Sequence, residues 1–368
     1  MVLKINVIRT IIVVAVWLAL SICCFFKQSD KASESERRYL SQFPEMSVEG
    51  ILDGTFMTDF EKYTLDQFPM RDTFRTFKAM ACYYGFLQKD NNGIYVADGY
   101  AAALEYPMNE KMILGATDKM KYLYNKYVEG NCENVYITVI PDKNCFLADK
   151  HGYLSMDYAK VFELVKDNTN FAEYIDIVDG VLDVSDYYKT DTHWRQECLV
   201  DVANKLSLGM NMGAVTKDKF EVLEADTDFY GVYYGQAALP MKSEKIFYLT
   251  NSILEKCEVY NYETDKVTQI YDMDKMNSRD PYEMFLSGAA ALLTIENKNA
   301  TTDKELVVFR DSFGSSIIPL IAEQYTKITL IDTRYIASDL IENYVEFNGQ
   351  DVLFMYSTIL LNNSMTMK

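Results

Sequence analysis

Residues 306–314 read Leu306-Val307-Val308-Phe309-Arg310-Asp311-Ser312-Phe313-Gly314. Four consecutive apolar side chains, two of them β-branched, mark a strand buried on both faces, as in a parallel sheet. A polar turn follows, then a helical stretch over 317–325 with Pro319 in its first turns. The same rhythm recurs on either side. Strands are predicted at Val135–Ile140, Ala172–Val178, Glu305–Phe309, Lys327–Ile331 and Asp351–Tyr356. Helices are predicted over 111–129, 156–168, 196–207 and 337–344. Strands alternating with helices imply an α/β fold of three layers, α/β/α, around a mainly parallel sheet.

Ser312 therefore falls where a parallel strand gives way to a helix. Ligand sites in open α/β sheets form at the carboxyl ends of strands. The helix start there offers unpaired N–H groups and the positive end of a dipole, both suited to a developing oxyanion. Serines at such places also cap helices, so position alone does not separate nucleophile from cap. The second piece lies upstream, in Asp191-Thr192-His193-Trp194. The chain has only two histidines, so few side chains can act as a general base at neutral pH. In an extended segment residues i and i+2 point to the same side. Asp191 can then reach Nδ1 of His193, fix its tautomer and leave Nε2 facing a nucleophile. Trp194 is placed to wall the imidazole from water. The alternative is a structural histidine. Both pieces fall on loops after strands of one sheet, which makes Asp191, His193 and Ser312 a candidate triad.

Other chemistries lack support. A metal on Asp191 and His193 needs further ligands, and only His151 remains among imidazoles. Neither H-E-x-x-H nor a clustered Cys/His pattern occurs, so no metal is expected. Without G-x-G-x-x-G or a P-loop string, no nucleotide cofactor is expected. The net charge of −18 and pI near 4.6 oppose binding to nucleic-acid phosphates. Of seven cysteines, Cys23 and Cys24 lie in an apolar N-terminal run; the other five, Cys82, Cys132, Cys145, Cys198 and Cys257, are irregularly spaced with no C-x-x-C, form no disulfide framework and read as small buried hydrophobes, with a Cys132–Cys145 bridge as the alternative. The 28 tyrosines and 20 phenylalanines are too many to be a ligand surface and must mostly be core.

The first 27 residues set the compartment. Lys4 and Arg9 precede an apolar run from Thr10 to Phe26, and Lys27 follows. The run is short but sufficient for a signal anchor, and the leading positive charge favours a cytoplasmic N-terminus with an extracellular body. A cleaved signal peptide and a lipoprotein at Cys23 are the alternatives. Residues 28–44 read as a polar linker and 45–363 as the α/β domain. Within it, residues 47–86 are helical, with Phe56, Phe60, Tyr63, Phe68, Phe74 and Phe77 at three- and four-residue steps. Residues 215–275 read as a β-rich insertion.

Several stretches together resemble the DHHW family of bacterial envelope proteins, which are similar to the AlgX/AlgJ-type, SGNH-hydrolase-like polysaccharide O-acetyltransferases. They are Asp53-Gly54-Thr55-Phe56, Asp66-Gln67-Phe68-Pro69-Met70-Arg71-Asp72, Tyr188–Trp194, Phe285-Leu286-Ser287-Gly288, Arg310–Gly314, Ile331–Tyr335 and Asp351–Tyr356. Thr192 stands where the name-giving string has a second histidine, and Arg310 where a glycine often precedes Asp-Ser. The resemblance implies an SGNH-like fold and a triad of Ser312, His193 and Asp191. Gly288, Phe313 and Trp194 are expected on the oxyanion and substrate side. It further implies transfer of acetyl groups to an envelope or secreted polysaccharide, with a membrane-bound O-acyltransferase partner supplying them. A carbohydrate acetylesterase with the same triad, and a non-catalytic envelope scaffold or glycan-binding protein, are the alternatives.

Overall fold

In the structure, a computed structural model that describes residues 2–368, the run Glu305–Arg310 is a strand buried from Leu306 onward. It lies within an eight-stranded sheet. In chain order the strands are β1 (Val135–Ile140), β2 (Glu173–Tyr174), β3 (Glu258–Asn261), β4 (Lys266–Thr268), β5 (Leu292–Glu296), β6 (Glu305–Arg310), β7 (Lys327–Ile331) and β8 (Asp351–Ser357). Their spatial order is β4-β3-β5-β7-β6-β8-β1-β2. From β7 to β2 every pairing is parallel, whereas β5, β3 and β4 continue the sheet antiparallel. Hydrogen-bonded register sets Phe309 of β6 between Ile331 of β7 and Phe354 of β8.

Strand alternation divides the apolar side chains between two layers. Leu306 and Val308 join Leu353, Met355, Ile328 and Leu330 on one face. There they pack with Val202 and Leu206 of the helix Val200–Gly209, and with Ile318, Leu320 and Ile321 of a 3₁₀ stretch. Val307 and Phe309 join Val352, Phe354, Ile137 and Val139 on the other. Helices Glu110–Leu123 and Tyr158–Asn168 supply that face's cover, through Ile113, Met120, Val161 and Val165. The three-layer α/β/α expectation holds. Three details differ. The segments predicted as helices near 317–325 and 337–344 are mainly 3₁₀, over Ile318–Gln324 and Ser338–Asn343. The strand expected over Ala172–Val178 is only two residues long. The β-rich stretch is not a separate insertion: Glu221–Glu224 pairs with Phe247–Thr250, but β3 and β4 belong to the main sheet. All seven cysteines are free, and only Cys257 is fully buried.

Two compact units divide the chain: residues up to Asn92 with Tyr234–Pro240, and Gly93–Tyr233 with Met241–Lys368. The sheet lies in the second, so the α/β unit begins near residue 93 rather than 45. The first unit opens with a helix, Val2–Phe26. Its segment Ile5–Cys24 has mean hydropathy 2.5 and is long and apolar enough to cross a membrane. Helices Val48–Leu52, Thr55–Asp66 and Arg71–Met80 follow. Residues 28–44 are not a free linker. Arg38 grips Asp66 through two hydrogen bonds (2.9 and 2.5 Å), and the Ser41 N–H donates to the same carboxylate (2.9 Å).

Candidate functional site

The β6 strand ends at Arg310, and Asp311-Ser312-Phe313 turns the chain into the helix Gly314–Ile317. Asp311 shapes that turn. Its Oδ1 accepts from the Phe313 N–H (3.1 Å), and its Oδ2 accepts from the Ser357 N–H at the end of β8 (2.8 Å). Ser312 is thereby fixed at the carboxyl ends of the central parallel strands, where it is only half-buried. Arg310 lies beneath the turn, donating to the Asp311 carbonyl (3.3 Å) and to Ser315 Oγ (3.1 Å). Its methylenes sit against Gly314, where an added Cβ would come within 3.0 Å of Arg310 Cβ.

The loop carrying Asp191 and His193 is built differently from the extended segment expected. The Tyr188 N–H donates to the His193 carbonyl (3.1 Å), closing a tight loop. Asp191 Oδ1 accepts from the backbone N–H of His193 (3.0 Å), which is an Asx turn. The same oxygen meets His193 Nδ1 at 2.7 Å. His193 Nε2 lies 2.8 Å from Ser312 Oγ. The three predicted residues thus form one unbroken chain of hydrogen bonds. Asp191 is 1% exposed and His193 8%, so the pair is shielded while the serine is reachable. Such an array can draw a proton from the hydroxyl as it attacks an electrophilic carbon.

Several side chains essential to this geometry carry no local sequence signal. Tyr282 stacks flat on His193, with centroids 4.0 Å apart and planes 8° apart. Its hydroxyl donates to Ser316 Oγ (2.9 Å). Tyr282, with Phe313 tilted at 5.0 Å, forms the wall that the sequence assigned to Trp194. Trp194 serves otherwise. Its indole N–H reaches the Phe313 carbonyl (3.1 Å) and Ser316 Oγ (2.9 Å). Glu244 holds the loop from below, accepting from the N–H groups of Lys189 (2.7 Å) and Thr190 (2.8 Å) and from Thr190 Oγ1 (2.7 Å). The Gly288 N–H donates to the Phe285 carbonyl (3.2 Å). It is engaged in its own turn, which removes the reason for assigning it to an oxyanion. Among the described residues no hydrogen bond takes up the Ser312 N–H. His151, the other histidine, sits with Lys150 around Asp98 on a partly exposed patch.

Gly231 and Val232 complete the support of Asp191. The Val232 N–H donates to Asp191 Oδ2 (2.8 Å), and the Gly231 N–H donates to Thr190 Oγ1 (3.0 Å). A Cβ on Gly231 would stand 2.3 Å from both the Cα and the N of Asp191. Backbone cannot yield at that distance without moving the carboxylate. Gly231→Ala is therefore expected to lower turnover of an activated ester by about 100-fold, the scale of an ångström-sized misplacement. Gly115→Ala, within the helix Glu110–Leu123 where an added Cβ would meet only Ser364 Oγ at 3.5 Å, controls for mutation in general.

Lys143 is a buried ammonium beside this loop. Its Nζ donates to the Tyr188 carbonyl (2.8 Å) and lies 5.1 Å from the Tyr233 ring centroid. Burial drives its pKa down from 10.5 to about 7, against the upward pull of Asp191, Glu244 and Asp142. Between those values the unfolded chain carries a proton here that the folded chain lacks, so stability rises with pH across the window. Lys143→Met removes that contribution. Denaturant unfolding at a series of pH values is expected to show wild type gaining on the variant by several kcal/mol from about pH 7 to 10.5. Parallel curves would mean that Lys143 keeps its proton in the fold.

A model of the DHHW protein family matches residues 36–101 and 159–331. The chain belongs to the DHHW protein family. The matched residues include Asp191, His193 and Ser312 and stop before β8, so the tail stretch Asp351–Tyr356 lies outside them. A crystal structure of a DHHW family protein from Eubacterium siraeum aligns at TM-score 0.60 and 17% identity, over 76% of this chain and 95% of that one. Bacillus cereus PatB1 aligns at TM-score 0.61 and 18% identity, over 75% of this chain and 99% of that one. A second PatB1 structure, with a sulfonyl adduct, aligns at TM-score 0.59 and 18% identity, over 74% and 96%. At such identities the likeness carries the fold. No curated protein sequence matches the chain. These alignments agree with the three-layer α/β fold with a mainly parallel sheet expected from the sequence.

Proposed function

We propose that this DHHW protein is an exported, membrane-anchored serine O-acetyltransferase acting on sugar hydroxyls of an envelope or secreted polysaccharide. The observation that carries the reading is the relay from Ser312 Oγ through His193 to Asp191, with links of 2.8 and 2.7 Å. In the first half-reaction Ser312 Oγ attacks the acetyl carbonyl while His193 Nε2 takes its proton. The Ser312 N–H is the first donor to the resulting oxyanion. As the tetrahedral adduct collapses, the donor's leaving atom receives the proton from His193, and an acetyl-serine ester remains. In the second half a sugar hydroxyl gives its proton to His193 and attacks that ester. Ser312 is released protonated, and the sugar carries the acetyl group. Asp191 holds the imidazole in the tautomer both halves require.

Two further observations support the reading. PatB1, of similar fold, has been captured with a sulfonyl adduct, and sulfonyl groups are trapped by activated nucleophiles. The apolar segment Ile5–Cys24 serves as the anchor. A membrane-bound O-acyltransferase partner would supply acetyl groups at the membrane. The test is acetyl transfer by the full chain from an activated aryl acetate, with and without an oligosaccharide acceptor. Acetylated sugar formed at the expense of free acetate supports the transferase. Acetate release that is indifferent to acceptor makes the chain an esterase. Inertness toward every ester would leave a scaffold.

A further inference from the structure

The first unit holds an aromatic cluster of Phe43, Phe56, Phe60 and Tyr63, but beneath the helix Arg71–Met80 it is ionic: Glu36 is bridged by Arg71 and Arg75, and Arg38 clamps Asp66. These carboxylates and the two bridging arginines are each less than a fifth exposed at the side chain. Along Arg71–Met80 and its π-turn continuation Ala81–Gly85, Arg71, Arg75 and Ala79 recur every four residues and face inward. Phe74, Phe77 and Tyr84 recur at three- and seven-residue steps on the opposite side and are 45%, 65% and 64% exposed. Phe86 and Leu87, which follow the π turn, are 76% and 81% exposed. A helix of a water-soluble body turns its apolar stripe to the core. Here the stripe faces out, and exposed apolar side chains grouped on one helix side mark an interaction surface.

Two facts select the occupant. The patch belongs to the same compact unit as the apolar helix that contains Ile5–Cys24. Charge is also partitioned. Residues 1–92 hold eleven basic and eleven acidic side chains, so they are neutral and the whole −18 sits on residues 93–368. Only the neutral part can approach a lipid headgroup layer without electrostatic repulsion. We propose that Arg71–Leu87 lies in the plane of the bilayer interface, with Phe74, Phe77 and Tyr84 at the boundary between headgroups and acyl chains. This rests on reading Ile5–Cys24 as an anchor. The ionic layer beneath the helix keeps the arginines off the lipid-facing side and fixes the angle at which the aromatic face is offered.

The full chain in phosphatidylcholine vesicles tests the proposal with native tryptophan as an internal control. Trp17 lies in the apolar helix and Trp194 is buried in the α/β unit. Wild type in vesicles with lipids brominated deep in the chains reports insertion of the anchor, through quenching of Trp17. Phe77→Trp adds one emitter on the aromatic face. The added emission is expected to be lost with lipids brominated near the headgroup and to be shielded from aqueous acrylamide. Quenching of the wild type together with free acrylamide access to the added emitter would overturn the interfacial proposal and leave the anchor standing. Protection from both quenchers would also overturn it, because a second copy would then cover the face. If Trp17 itself is unquenched, the anchor reading fails, and this proposal with it.

Discussion

Ser312→Ala is expected to lower acetyl transfer by about 10⁵-fold while changing unfolding free energy by less than about 1 kcal/mol. The two numbers belong together. Ser312 is half-buried, and its side-chain hydrogen bond is the one to His193 Nε2, which can turn to water when the hydroxyl is gone. The turn itself is held by Asp311 and Trp194, not by the Ser312 hydroxyl. Loss of activity would therefore report loss of the nucleophile and not of the fold. Covalent labelling by a sulfonyl fluoride should vanish in the same variant. Turnover or labelling that survives Ser312→Ala would remove the serine mechanism.

Asp191→Asn is expected to be nearly as severe, at about 10⁴-fold in turnover. The carboxylate has donors on both sides: His193 Nδ1 and N–H at Oδ1, and the Val232 N–H at Oδ2. An asparagine can satisfy only one side. If its carbonyl faces Val232, its amide N–H₂ faces His193 Nδ1, which must then accept, and it also confronts the His193 backbone N–H as an unmatched donor pair. Nε2 then carries the hydrogen and cannot take the serine proton. If its carbonyl faces His193, two donors confront each other at Val232, at a cost of about 1–3 kcal/mol in stability for a buried unmatched pair. Each arrangement leaves one unmatched donor pair, so denaturant unfolding reads a loss in both, and steady-state turnover on the same preparation separates them. Turnover and stability both unchanged would show that Asp191 does not set the tautomer.

The sheet was legible because its strands are short continuous apolar runs bounded by turn residues. Val135–Ile140 and Lys327–Ile331 are read to the residue, and β6 and β8 each extend one residue further. Strand β5 was missed: Leu292–Glu296 follows Gly288-Ala289-Ala290 without a strong boundary, and its place is set by antiparallel pairing to β7. The triad members were legible for a narrower reason, since rare histidine beside aspartate is conspicuous. What holds them is not. Tyr282, Gly231, Val232 and Glu244 reach Asp191 and His193 or their loop across long sequence separations, and nothing in their own neighbourhoods says so. The aromatic repeat in the first unit is helical as read, but its steps do not distinguish Phe56, Phe60, Tyr63 and Phe68, which are partly buried, from Phe74 and Phe77, which are exposed. Periodicity gives a stripe its helix, but only the partners of Arg71 and Arg75 say which way it points.

His193 and Trp194 are neighbours in the chain, and they meet the same turn at two places. The imidazole approaches Ser312, and the indole grips the Phe313 carbonyl and Ser316. One residue supplies the reagent while the next acts as a gauge block, setting the gap across which a proton must jump. A homologue that keeps aspartate, histidine and serine but replaces this tryptophan would retain every reactive group and lose the calibration between them. Among sequences of this kind, counting triad members would then overstate how many are working enzymes.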